Sequence, residues 1–260
     1  MFKRNFSLLF HLQSSEADRL KIIPVIDILN GVAVHAVRGR RKEYQPLKSI
    51  LCDSADPVAV ASAFKTCGFE ELYVADLDAI MGKGENFSVL ERIAEKTGLR
   101  LLVDAGISDL NQARQLFQRK VSKIIIGTET LPNLGSVKQA IDSFGSEKVI
   151  VSLDLKAGKV LSKSESLQAM SALELAGNLQ GVGVGELIVL DLARVGSGEG
   201  VDFVLLEQLL KKVNMRVLVG GGIRDLADLV KLKELGVHGA LVATALHSGK
   251  ITMNELREMA

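Results

Sequence analysis

The stretch LVGGGIRDL, Leu218 to Leu226, has a near-twin earlier in the chain, LVDAGISDL, Leu102 to Leu110, in which Asp104 and Ala105 stand where Gly220 and Gly221 stand later. The two copies lie 116 residues apart (Val103 and Val219), and the next apolar run keeps that separation, with IIGT ending at Thr128 and LVAT ending at Thr244. VIDILNG around Asp27 likewise resembles SLDLKAGK around Asp154, 127 residues on, and YVADLDA around Asp76 resembles IVLDLAR around Asp191, 115 residues on. A chain that repeats itself at its midpoint is built from two similar halves.

The repeated units are short runs of Val, Ile and Leu alternating with longer amphipathic segments. The runs are Ile22–Asp27, Glu71–Asp76, Arg100–Asp104, Lys123–Gly127, Lys148–Asp154, Glu186–Asp191, Arg216–Gly220 and Gly239–Ala243. Continuous apolarity over about five residues suits strands buried on both faces, as in a parallel sheet, and the segments between them read as helices. Asp56 ahead of Pro57, Asp109 and Asp225 are placed to cap three of those helices. An open doubly wound sheet offers the same alternation but gives no reason for a halfway repeat. The α/β class expected is therefore a TIM (βα)8 barrel over residues 21–260, made of two four-unit half-barrels, with residues 1–20 as a short N-terminal extension.

Composition narrows the function. The chain is 260 residues, 47% hydrophobic and 24% charged with a net charge of +1, a globular composition that gives no reason to expect nucleic acid. The one basic stretch, Arg38 to Lys42, reads first as a solvated loop. Cys52 and Cys67 form no CxxC and have no histidine at ligand spacing, so no metal is expected, and two such thiols fit a reducing, cytoplasmic setting. Lys3 and Arg4 ahead of apolar residues begin like a signal peptide, but the run is short, is broken by Ser7 and His11, and lacks a cleavage site; Ser14 or Ser15 could instead start a helix. No window has the ~20 apolar residues a membrane helix needs, so no membrane partner is expected. Oligomeric state is not legible.

In such a barrel, residues at the carboxyl ends of the strands ring the active-site face. Asp27 and Asp154 end the first and fifth strands on opposite sides of the mouth, where two carboxyls can take a proton from one substrate atom and give one to another. The bland alternative is that each merely accepts loop N–H groups. Asp76 and Asp191 form a second pair, which Asp78, Arg194 and nearby loops could hold structurally. Gly220, Gly221, Gly222 and Ile223 after the seventh strand, with Ala243 and Thr244 after the eighth, offer unobstructed backbone N–H groups where this architecture binds phosphate. The glycines of GVGVGEL from Gly181 mimic a dinucleotide fingerprint but precede a strand instead of following one.

Taken together, IIPVIDILNG, VADLDA, IIGTETL, VIVSLDLKAGKV and LVGGGIRDLADLVKLKELGVHGALVATALHSGKIT resemble, in order and across nearly the whole chain after Lys21, the histidine-biosynthesis (βα)8-barrel family, its isomerase branch more closely than its cyclase branch. The resemblance implies a cofactor-free Amadori rearrangement of an aminoaldose to an aminoketose. Asp27 would abstract the C2′ proton and Asp154 would protonate the ring oxygen. It also implies a phosphorylated small-molecule substrate with a phosphate at each end. One would be held by the loops after strands three and four, through Gly106, Gly127 and Thr128, and the other by those after strands seven and eight. The basic loop after strand one would supply Arg38, with Arg40 and Arg41, for an anion.

The sequence departs from that pattern at specificity positions. Asp104 puts a carboxylate where the first phosphate would sit, and the segment LDLARVGSG around Asp191 has Leu190, Val195 and Ser197 where the family carries a threonine, an acidic residue and a threonine. The leading expectation is a phosphosugar isomerase with altered or smaller substrate. The alternatives are the histidine-pathway isomerase itself, a cyclase-like lyase working with a glutaminase partner, and a phosphate-binding barrel without turnover.

Overall fold

The computed structural model describes residues 20–259. The expectations for the N-terminal extension, the signal-like start and a helix from Ser14 or Ser15 lie outside those residues. Eight parallel strands carry the fold: β1 (Lys21–Leu29), β2 (Glu71–Asp76), β3 (Arg100–Asp104), β4 (Lys123–Gly127), β5 (Val149–Lys156), β6 (Glu186–Asp191), β7 (Arg216–Gly220) and β8 (Gly239–Val242). Each pairs with the next, and β8 pairs with β1 in the register Lys21 to Gly239 through Pro24 to Val242, so the sheet closes on itself. All eight apolar runs are strands of this closed barrel, and the open sheet is excluded.

Period-two alternation decides what fills the barrel. Ile23, Leu102, Ile150 and Leu218 from the odd strands and Tyr73, Ile125, Ile188 and Leu241 from the even strands form one interior cluster, the layered filling typical of such barrels. The opposite faces of the strands pack under the helices, where Phe64, Leu90, Leu116 and Leu209 are fully buried. One step nearer the mouth, the odd strands place Val25, Asp104, Ser152 and Gly220 inside; one step further, β1 and β5 place Asp27 and Asp154. Asp104 and Gly220 are thus the same position in the two halves.

The half-barrel repeat extends to the hairpins. β1 turns at Asn30 and Gly31, with φ of 53° and 74°, into the antiparallel strand Val32–His35; β5 turns at Ala157 and Gly158, with φ of 52° and 76°, into Lys159–Val160. Two successive left-handed residues twist a two-residue hairpin in the sense its strands require, and glycine takes the second position without strain in both halves. Asp56, Asp109 and Asp225 accept backbone N–H groups at the starts of the helices Pro57–Thr66, Leu110–Gln118 and Leu226–Glu234.

The amino-terminal end of the barrel is closed by charge. Glu71 takes Lys21 at 2.6 Å and Arg100 at 3.1 Å, while Glu186, 3% exposed, takes Lys123 and, at 3.8 Å, Arg216. A buried carboxylate so placed stabilises only while its partners remain, and its loss strands a cation. Glu186→Ala is expected to lower the unfolding free energy by about 3–5 kcal/mol, with the double variant Lys123→Met, Glu186→Leu recovering most of it. Urea denaturation followed by circular dichroism measures both. A loss below about 1 kcal/mol would mean that the bridge behaves as a solvated surface pair.

Candidate active site

At the carboxyl ends of the strands the barrel opens into a cavity of about 260 Å³. One wall is acidic, formed by Asp27, Asp104 and Asp154 with Tyr73 among them and Glu129 above. The facing wall is Gly220 to Ile223, Ala243 to Ala245 and Lys250.

Asp154 is 4% exposed and held on both oxygens: the Ser152 hydroxyl donates to Oδ1 at 2.7 Å and the Glu129 backbone N–H to Oδ2 at 3.0 Å. Its own N–H donates to the Thr128 hydroxyl at 2.9 Å, which fixes the strand end. Burial raises its carboxyl to about 6 against those two donors. Asp27, across the mouth, is raised further, to about 7, by burial; only the Arg41 charge opposes the shift. Both groups can therefore hold or release a proton near neutrality.

Asp104 is 8% exposed, and Gly106 N–H donates to its Oδ1 at 3.0 Å. Burial, and then the Asp154 charge, raise it to about 7. The two carboxyls meet over β4: a Cβ on Gly127 would lie 2.8 Å from Asp154 Oδ2 and 3.4 Å from Asp104 Oδ2, so only glycine lets them approach there. Tyr73 points into the same corner. Its phenol is raised well above its ordinary value, first by burial and then by Asp104, and so keeps its proton.

The loop after β1 crosses the mouth. Arg41 donates twice to Glu129, at 3.0 Å and 2.6 Å, bridging to the loop after β4, and it lines the cavity with Tyr44. Arg38 does not enter the site. Its backbone φ is 50°, its N–H donates to the Val195 carbonyl, and its side chain pairs with Glu199 at 2.6 Å on the exposed rim. Val195 lines the cavity, and its backbone carbonyl anchors the loop.

The facing wall carries Arg224, which is engaged by Asp228, and Lys250, whose amine makes no ion pair among the described residues. The N–H groups of Gly221, Gly222 and Ile223 find no protein acceptor there either. A Cβ on Gly221 would meet the Asp191 carbonyl oxygen at 2.5 Å, and its φ is 85°, so this turn takes no other residue without strain. Thr244 starts a short helix, and its hydroxyl is hydrogen-bonded to His35 Nε2 at 3.0 Å.

The remaining sequence-derived residues are placed away from the cavity. Asp191 accepts from Ala193 N–H and Arg194, each at 3.0 Å, a loop-holding role. Asp76, fully buried, accepts from Ala79 N–H and from the backbone and side chain of Asn86, and so caps a short helix. Gly106, Gly127 and Thr128 stand behind the acidic wall and serve Asp104 and Asp154. Tyr73, Tyr44, Glu129, Lys156 and Lys250 were not singled out from the sequence. For Tyr73 the signal was there, since alternation along ELYVAD puts it on the interior face with Ala75. Among the described residues, no group of three or more His, Cys, Asp or Glu side chains could hold a metal ion, and no helix is long and apolar enough to cross a membrane.

The family described as histidine biosynthesis protein matches residues 21–252. Relatives align along almost their whole length. An uncharacterized protein of Methanocaldococcus jannaschii is 36% identical over 91% of this chain and 97% of its own. The 1-(5-phosphoribosyl)-5-((5-phosphoribosylamino)methylideneamino)imidazole-4-carboxamide isomerase of Alkaliphilus metalliredigens is 33% identical over 92% of this chain and 98% of its own. The isomerase of the same name from Clostridium botulinum is 30% identical over 90% and 95%. The closed eight-stranded barrel agrees with that match over its full extent, and the chain belongs to the histidine biosynthesis protein family.

Proposed function

We propose that this protein is an aldose–ketose isomerase of the Amadori type, acting on a phosphate-bearing aminoaldose through Asp27 and Asp154. The observation that carries the reading is the pair itself: two carboxyls raised to about 7 and about 6, on opposed strands, facing one cavity. Asp154 protonates the ring oxygen, and the ring opens to an iminium at C1. Asp27 takes the C2 proton to give an enaminol; a proton returns to C1 as the C2 hydroxyl becomes the carbonyl. No electrons leave the substrate, so two positioned proton carriers suffice. The isomerase names of the relatives support the same reaction class.

The wall at Gly220 to Ile223 and Ala243 to Thr244, with Lys250 beside it, supports a phosphate there. The opposite wall favours a substrate other than the two-phosphate aminoaldose of the histidine pathway. The N–H groups of Gly106 and Glu129, which could receive a second phosphate, already serve Asp104 and Asp154. A cavity of about 260 Å³ also falls below the roughly 300–1,000 Å³ that drug-sized ligands occupy.

Purified protein is expected to form no ketose from the histidine-pathway aminoaldose, and to incorporate solvent deuterium into smaller phosphorylated aminoaldoses, followed by NMR. Ordinary turnover of the pathway substrate would make this chain a pathway isomerase. Asp27→Asn and Asp154→Asn should each cut turnover by about 10²- to 10⁴-fold with phosphate affinity unchanged; unaltered turnover would remove the pair from the mechanism.

The pH profile gives a second check. Asp27 must be ionised while Asp154 keeps its proton. Because the base's value of about 7 lies above the acid's of about 6, that pairing is a minor protonation state, most populated between the two values. The rising limb of the rate therefore falls near 6 and the descending limb near 7. The profile is expected to be a narrow bell bounded by values of about 6 and about 7. A plateau extending to pH 9 would contradict a carboxylic acid as proton donor.

A further inference from the structure

The charge in this cavity is divided. Glycine N–H groups and Lys250 lie on one side; on the other stand carboxyl groups with which no cation, Lys156 of the lining included, makes an ion pair among the described residues. The sole guanidinium at the acidic wall, Arg41, is taken on both its terminal nitrogens by Glu129. Asp104 uses Oδ1 to accept Gly106 N–H, while Oδ2 accepts nothing among the described residues. The Tyr73 hydroxyl, on a side chain only 4% exposed, likewise has no hydrogen-bond partner among the described residues. Among the described residues no fully buried side-chain nitrogen or oxygen lacks a partner, so both atoms must reach the cavity. Two polar atoms, on side chains more than nine-tenths buried, therefore wait in one corner for a group from outside.

An anion is disfavoured there. Asp154 and Glu129 already raise Asp104, and a phosphate would add to the same repulsion. A neutral hydroxyl would satisfy one oxygen and leave the charge. A primary ammonium satisfies several acceptors at once and supplies the missing countercharge in a water-poor site. Building on the reading of the glycine wall as the phosphate site, we infer that the substrate carries a single phosphate at that wall and a primary ammonium group at the far end, received by Asp104 Oδ2 and the Tyr73 hydroxyl. Asp104 is a specificity residue in this arrangement, and the chemistry stays with Asp27 and Asp154.

Isothermal titration calorimetry on the full chain tests this with three probes: glucosamine 6-phosphate, glucose 6-phosphate and fructose 1,6-bisphosphate. Glucosamine 6-phosphate is expected to bind about tenfold or more tightly than glucose 6-phosphate, the difference a charged hydrogen bond makes, and the bisphosphate no better than glucose 6-phosphate. Asp104→Asn, which keeps an oxygen for Gly106, should bring the first two within about twofold, and Tyr73→Phe should narrow the gap in part. Lys250→Ala should weaken all three probes alike. Equal affinity of the two hexose phosphates in the unaltered protein, or a preference that survives Asp104→Asn, overturns the ammonium site while the effect of Lys250→Ala leaves the phosphate reading standing. If no probe binds, or if Lys250→Ala changes nothing, the phosphate site fails and the inference fails with it.

Discussion

Three carboxyl groups are held inside one barrel mouth with no direct ion pair to any of them among the described residues, and the rest of the site is arranged around that constraint. Asp27, Asp104 and Asp154 are raised from 3.8 to about 7, about 7 and about 6, in each case chiefly by burial. An unfolded chain gives up these protons near its ordinary carboxylate value, whereas the folded chain keeps them. Stability contributed at low pH is therefore lost as pH rises from about 4 through about 7. The other end of the barrel shows the contrast. There Glu71 and Glu186 are equally buried, but each has two basic partners. These two glutamates are ion-paired; among the described residues, the three aspartates at the mouth are not.

The two halves of the barrel share a backbone plan and differ in what they present to the mouth. β1 and β5 end in equivalent aspartates followed by equivalent hairpins, which puts a proton carrier on each side. β3 and β7 break the symmetry at Asp104 and Gly220. On the β7 side, glycines leave N–H groups open. On the β3 side, the N–H that a ligand could use is closed by the chain's own carboxylate. The loop after β1 is tied to the acidic half through the Arg41–Glu129 ion pair.

Much of the fold was legible because it rests on local periodicity. Eight apolar runs, capping aspartates and a midpoint repeat dictate a closed barrel, and strand ends then place Asp27, Asp154 and Asp104. The basic loop was not legible to the same degree. Which arginine faces the cavity depends on a left-handed backbone at Arg38 and a hydrogen bond to Val195, 157 residues away in sequence. Charge pattern alone read the stretch as a solvated loop, the family resemblance put Arg38 forward with Arg40 and Arg41, and the fold turns Arg41 inward. Thr128 shows the other limit. A threonine in a strand-end loop reads as a ligand for phosphate, yet its hydroxyl is spent on Asp154 N–H, and nothing local to IIGT reveals that partner.

The internal hydrogen bonds also explain why the acidic wall acts as a unit and not as one changed residue. Removing the Asp104 carboxylate would free Gly106 N–H and relieve the repulsion on Asp154. It would not open a phosphate cradle, because Glu129 N–H would still be held by Asp154, and the Glu129 side chain would still stand above with Arg41 engaged. Asp154 in turn cannot release Glu129 N–H without rising further and losing the ease of ionisation its two donors provide. Exclusion of an anion from this wall is therefore tied to the tuning of Asp154, which joins substrate selection and proton transfer in one hydrogen-bonded corner.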